Sequence, residues 1–181
     1  MHKQNLNSPV TGKPMSPVTL DDGLDAWQCR DSGGHYIPAA SYMQWLQAQP
    51  ARLPELPATN PHEETAPEPG TARICPETDT IMTRYKVGHG FVFSIDRSIT
   101  GGIWLDGGEW EALRKRNFHD EIHLVFTAPW QKHVRDEQAR ATYEERLRSA
   151  LGPELMTRLD ALRKDLANHP HRNLALAWLS H

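Results

Sequence analysis

Cysteine is scarce in this chain: Cys29 and Cys75 are the only two among 181 residues. They stand in unlike surroundings, which excludes a disulfide framework and makes a reducing, cytoplasmic setting the simplest expectation. Long apolar runs are lacking as well, so no membrane-spanning helix and no membrane partner are expected. The opening residues, Met1-His2-Lys3-Gln4-Asn5, have no apolar stretch behind their charge, so they do not read as a secretory signal. Neither sign of charge dominates. A formal net charge of -3 and a pI near 6.4 argue against nonspecific nucleic-acid binding, which runs on phosphate neutralisation by Lys and Arg. The apolar fraction, 38%, is low for a compact protein, and the 14 prolines account for part of that. The length suits one domain or two small ones.

What the sequence does have is an internal echo. Ser8-Pro9-Val10-Thr11, followed by Met15, returns 67 positions later as Cys75-Pro76-Glu77-Thr78, followed by Met82. Cys29-Arg30-Asp31-Ser32-Gly33-Gly34 returns 68 positions later as Arg97-Ser98-Ile99-Thr100-Gly101-Gly102. Each copy thus carries two slot-x-x-slot turns at the spacing of a zinc ribbon, in which two C-x-x-C turns hold one tetrahedral ion. The slots here are Ser8, Thr11, Cys29 and Ser32, then Cys75, Thr78, Arg97 and Thr100. One thiol per copy cannot close a zinc tetrahedron. Ser and Thr hydroxyls do not ionise near neutrality, and Arg97 would bring a cation to the place of the ion. No metal or other cofactor is therefore expected, zinc being the alternative. The turns would persist through hydroxyl oxygens accepting backbone N–H bonds.

Residues 1–49 form the first module. Val18 and Leu20, then Leu24 and Ala26, alternate around Asp22-Gly23, a hairpin signal, and Ser41 is placed to cap a short helix carrying Tyr42 and Trp45. Residues 50–72 are rich in proline and predict an extended linker. Residues 73–118 form the second module. Ile81, Thr83, Tyr85 and Val87 alternate up to a Gly88-His89-Gly90 turn, Phe91, Phe93 and Ile95 return, and Asp106 with Glu109 reads as a capping box. Residues 119–181 read as a helical tail, broken at Gly152-Pro153, with Leu155, Leu159, Leu162 and Leu166 as its plainest stripe. The expectation is that this tail packs on the two modules and replaces the metal as the source of stability.

Gly101-Gly102-Ile103-Trp104-Leu105-Asp106-Gly107-Gly108-Glu109, taken with its slots, resembles the C-terminal signature of the transcription-factor-IIB-type zinc ribbon family of small bacterial proteins, C-x-x-C-G-G-x-W-L-D-x-G-E-L. Arg97 and Thr100 stand where that family has its last two cysteines, Trp110 where it has leucine, and Cys75-Pro76-Glu77-Thr78 where it has C-P-x-C. The resemblance implies an α+β chain of two degenerate zinc-ribbon-like β-hairpin modules followed by a helical C-terminal region. It lends no role in transcription, because fold and function are separable.

No residue presents a catalytic constellation. His119 and His123 have the four-residue spacing of a zincin helix, but the position after the first histidine is Asp120 rather than glutamate. Trp27, Trp45 and Trp110 are candidate anchors for a partner, and Arg114-Lys115-Arg116 is a candidate phosphate contact. The expected function is a non-catalytic protein-binding or adaptor role, the partner being another protein or a second copy. Nucleic-acid binding and a metal-dependent hydrolase are the alternatives.

Overall fold

The computed structural model describes residues 5–50 and 71–180. The expected proline-rich linker falls mostly outside them. The chain divides into two compact units, Met1–Val134 and Arg135–His181.

The first unit is built on one antiparallel sheet of six strands in the order β1-β2-β3-β6-β5-β4. The expected hairpins are its two ends. Strands β1 (Ser16–Leu20) and β2 (Leu24–Gln28) turn at Asp22 and Gly23, both left-handed. Strands β4 (Thr83–Gly88) and β5 (Phe91–Arg97) turn at Gly88-His89-Gly90, whose three φ values are all positive. Not expected from the sequence are the two short strands that join them. Strand β3 (His35–Ile37) pairs with β2, β6 (Ile103–Leu105) pairs with β5, and β3 pairs with β6 through His35↔Leu105, Tyr36↔Trp104 and Ile37↔Ile103. Tyr36 and Trp104 are equivalent residues of the two copies, so the join has a local pseudo-twofold axis between them.

Side chains alternate across β3 and β6, and both faces are buried. One face carries Ile37, Ile103 and Leu105 into a core with Leu24, Val87, Ile95 and Leu113. Helices α1 (Ala39–Gln47), α2 (Glu109–Lys115) and α3 (Ile122–Val125) supply Tyr42, Trp45, Trp110, Ile122 and Val125 to it. Helix α4 (Ala128–Ala167) begins in this unit and adds Trp130. Two capping expectations fail. Helix α1 starts at Ala39, because Pro38 presets its first dihedral, so Ser41 lies inside the helix. Of the Asp106–Glu109 box only half forms. The Asp106 N–H donates to Glu109 Oε2 at 2.7 Å, while the Asp106 carboxylate is engaged elsewhere.

The other face carries Tyr36 and Trp104 into a second cluster with Leu6, Met15, Cys29, Cys75 and Met82. Its geometry explains the paired glycines. Gly33 and Gly101 are the left-handed members, at φ 73° and 91°. Gly34 and Gly102 are needed for a different reason, close approach. A Cβ on Gly34 would run into the Trp104 ring, and one on Gly102 into the Tyr36 ring and hydroxyl. Each copy's glycine is the seat of the other copy's aromatic ring.

In the second unit α4 breaks at Gly152, at φ 76° and ψ 162°. Glu144 and Arg163 approach to 3.8 Å across the break. Residues nineteen apart on a straight helix would be separated by about 28 Å, so the two halves fold back on each other as an antiparallel pair. Met156 is buried there, but Leu155, Leu159 and Leu162 are 36–41% exposed. The part of the expected tail that lies in the first unit gives its core Ile122, Val125, Phe126, Trp130 and Val134.

Two outcomes follow for stability. Gly102→Ala and Gly34→Ala should each lower unfolding free energy by about 1–3 kcal/mol, the cost of overpacking, read from denaturant midpoints. The loss at position 102 should shrink in a Tyr36→Phe background, where the nearest obstructing atom is gone. Parent-like midpoints would refute the seat. Truncation after Glu121 should abolish cooperative unfolding, since it removes five residues of this core, Ile122, Val125, Phe126, Trp130 and Val134, whereas truncation after Val134 should leave it. A cooperative melt from the shorter chain would contradict this division of the core.

Candidate functional site

The two copies repeat each other hydrogen bond by hydrogen bond at their first turns. Ser8 N–H donates to Lys13 O, Gly12 N–H to Ser8 O and Met15 N–H to Leu6 O. Sixty-seven positions on, Cys75 N–H donates to Thr80 O, Asp79 N–H to Cys75 O and Met82 N–H to Arg73 O. The second turns differ by one residue. In the first copy Cys29 N–H donates to Gly34 O and Gly33 N–H to Cys29 O; in the second Ser98 N–H donates to Gly102 O and Gly101 N–H to Ser98 O. Strand pairing agrees, because Ser16↔Gln28 corresponds to Thr83↔Arg97. The counterpart of Cys29 is thus Ser98, and that of Gln28 is Arg97. The turn in the second copy is one residue shorter, which a comparison of sequence spacing alone absorbs in the wrong place.

The four slots of the first copy lie around one sulfur. Thr11 Oγ1 is 3.6 Å from Cys29 Sγ, and Ser8 Oγ accepts the N–H groups of Val10 and Thr11 at 3.2 and 3.3 Å. Burial pushes the Cys29 thiol up, but bonds from the hydroxyls of Ser32, Ser8 and Thr11 together outweigh it and bring it to about 7. This is a cage of hydroxyls around one sulfur, only 2% exposed. A thiolate so enclosed is stabilised yet closed to bulky electrophiles.

In the second copy only Cys75 and Thr78 meet. Burial raises the Cys75 thiol, and hydrogen bonds from Thr78 and Tyr36 reverse the shift to a net lowering. The remaining place is taken by Tyr36 from the first copy, whose hydroxyl is 3.5 Å from Cys75 Sγ and donates to Glu77 Oε2 at 2.7 Å. Burial raises the Tyr36 phenol, so it stays a donor. Arg97 does not fill the slot. It lies on β5 with its guanidinium 4.8 Å from the centre of the Phe126 ring. Thr100 is exposed and meets Ser98 Oγ at 2.9 Å, while the buried Ser98 oxygen accepts the Gly102 N–H at 2.8 Å.

Beside Trp104 lies a charged cluster that the first copy lacks. Arg73 NH2 donates to both Asp106 carboxylate oxygens at 3.0 and 2.9 Å, and its Nε is 3.8 Å from Asp96. Arg84 donates to Asp96 at 3.1 and 3.3 Å, and Trp104 Nε1 to Asp106 at 2.8 Å. The matching positions in the first copy are Leu6, Pro17 and Trp27 for Arg73, Arg84 and Asp96, so an apolar patch has become an ionic one. Two guanidinium groups face three carboxyls, counting Glu109. Burial pushes Glu109 up to about 8, with the charges of Asp106 and Asp96 adding to it against Arg73. A protonated Glu109 balances the charge of the cluster, the usual resolution for an unpaired buried carboxyl.

The other candidates are dispersed. Trp45 and Trp110 are 5% and 1% exposed and enclose His119, each ring 5.6 Å from the imidazole. Trp27 alone of the three keeps an accessible side, in an open groove with Pro17, Pro38 and Ser41. Arg114 pairs with Asp21 at 2.6 Å and Arg116 lies 4.6 Å from the centre of the Phe91 ring. Helix α3 begins only at Ile122, so His119 and His123 do not share a helical face, and His123 Nδ1 is 3.1 Å from Asp120 O. Spacing alone did not reveal Tyr36, Ser98, Arg73 or Asp96. The one available signal was the replacement of apolar by charged residues between the copies. Compared with family models, curated proteins and solved structures, the chain matches none.

Because the Glu109 carboxyl binds its proton more tightly folded than unfolded, its contribution to stability is complete below about pH 4.5. It declines as pH rises toward about 8. Glu109→Gln should remove that part of the slope. The difference in unfolding free energy between parent and variant, measured from pH 5 to 8, should drift steadily against the parent. A difference independent of pH would show that Glu109 ionises normally.

Proposed function

We propose that the chain is a non-catalytic, protein-binding module and that its partner is a second copy of itself, met through the helical unit Arg135–His181. The observation that carries this reading is helix α5 (Arg172–Leu179), which has no buried residue. Leu174 is 70% exposed and Trp178 79%, with Leu176 and Leu179 also open. An eight-residue helix is too short to persist in water on propensity alone, and apolar surface of this kind marks an association site. Along the same unit acidic and basic residues interleave in nearly equal number. A strongly charged partner is thereby disfavoured, and a copy with the same mixed pattern suits it.

The rest of the chain supports a scaffold rather than a catalyst. The resemblance to the zinc ribbon family is read here as one of shape, with hydroxyl and phenol groups in place of ligands. Of the basic run, two members are occupied within the fold, which counts against phosphate binding.

Sedimentation of the full chain should give a dimer in the micromolar range. Leu174→Glu with Trp178→Glu should give a monomer with an unchanged thermal melt of the sheet unit. A parent that stays monomeric at about 100 μM, weaker than most specific association, would overturn the reading.

A further inference from the structure

The β4–β5 turn is pressed against the first turns of α4 and fixed there. Trp130 Nε1 donates to Val87 O and Gln131 Nε2 to Lys86 O, both at 2.8 Å. Gly88 has no room for a side chain, since a Cβ would run into Val134. At the tip stands His89, a non-glycine residue at φ 51° between two left-handed glycines. Such backbone is uncommon for a residue with a side chain, and histidine is among the residues that adopt it more readily. The His89 ring lies 4.3 Å from Trp130 and 5.0 Å from His133, the two imidazoles only 19° from parallel. Packing against Trp130 would be served as well by a phenyl ring. Two adjacent imidazoles also place a pair of nitrogen ligands at the tip of the turn.

We infer that His89 and His133 form a two-imidazole clamp for a late first-row divalent cation of the zinc, nickel or copper(II) class. One ligand nitrogen of each lies within 4.8 Å of the other. An ion bound at about 2.1 Å from each nitrogen spans up to about 4.2 Å, and since an imidazole donates in its own plane, the two rings must turn out of their stack to share it. The three anchors hold the turn and the helix together before the ion arrives, so that only the two side chains have to reorient. Imidazole nitrogens suit these ions over magnesium or calcium, and water completes the coordination. The clamp is separate from both thiol pockets and independent of the association proposed for the helical unit.

The test uses the chelator-treated full chain titrated with zinc alone, then nickel alone, by calorimetry and by imidazole NMR signals. One ion should bind, with the His89 and His133 resonances shifting or broadening first. His89→Phe and His133→Phe keep an aromatic ring against its neighbours, so the fold should survive. Each should weaken binding by roughly tenfold or more, as one imidazole replaces a chelate. Cys29→Ser with Cys75→Ser, and His169→Gln with His171→Gln, should leave binding unchanged. Parent-like affinity in both phenylalanine variants would show an aromatic stack only and overturn the proposal. So would loss of the ion in the cysteine or the tail-histidine variant with the clamp intact.

Discussion

The sheet unit depends on one reciprocal contact, the seating of Trp104 over Gly34 and of Tyr36 over Gly102. Without it the β3–β6 pair would be three residues of ladder and two separate hairpins. A two-stranded hairpin is marginal in water, and a third strand with a buried face is the usual requirement. The exchange of rings supplies more than that. It gives β3 and β6 a buried face on each side and turns two marginal units into one six-stranded sheet. It also fixes four identities at once, since neither glycine tolerates a side chain and neither ring can shrink without leaving a void.

The pseudo-twofold axis is exact only at that join. Moving outward, the copies diverge in a consistent direction. The first copy surrounds its thiol with three hydroxyls and lines the adjacent face with Leu6, Pro17 and Trp27. The second borrows the Tyr36 hydroxyl from across the axis and places Arg73, Arg84 and Asp96 on the corresponding face. In a zinc ribbon an ion would hold both turns of one copy together. Here the turns are held by short hydrogen bonds whose donors are neutral, and burial does the rest. Neutral donors to a thiol lower its pKa without the desolvation cost that a buried ion pair carries. The charged cluster of the second copy does carry that cost, and the burial that pushes Glu109 up toward its protonated form works to reduce it.

Much of this was legible in the sequence, and the failures have physical causes. Both hairpins, their turns, the paired glycines and the inward aromatics of α1 and α2 follow from period and turn chemistry. Strands β3 and β6 did not, because three residues buried on both faces show no alternation. Nor did the sheet they complete, since pairing between strands 68 positions apart leaves no local trace. Arg97 was assigned to a slot because the glycine pair fixed the alignment from one side only. The strand register fixes it from the other and transfers the slot to Ser98. The spacing of Leu155, Leu159, Leu162 and Leu166 is that of an amphipathic helix, and the first three are exposed. Amphipathicity says that a face seeks cover, and it does not say which surface supplies it.

That last point bears on where stability and association part company in this chain. Each unit has buried residues of its own, Val125 and Val134 among those of the sheet unit and Met156 in the helical unit. The helical unit then has an apolar excess that its own antiparallel pair and α5 do not bury. In the self-association proposed above, Leu174 and Trp178 would be covered on assembly, and their burial would then depend on protein concentration.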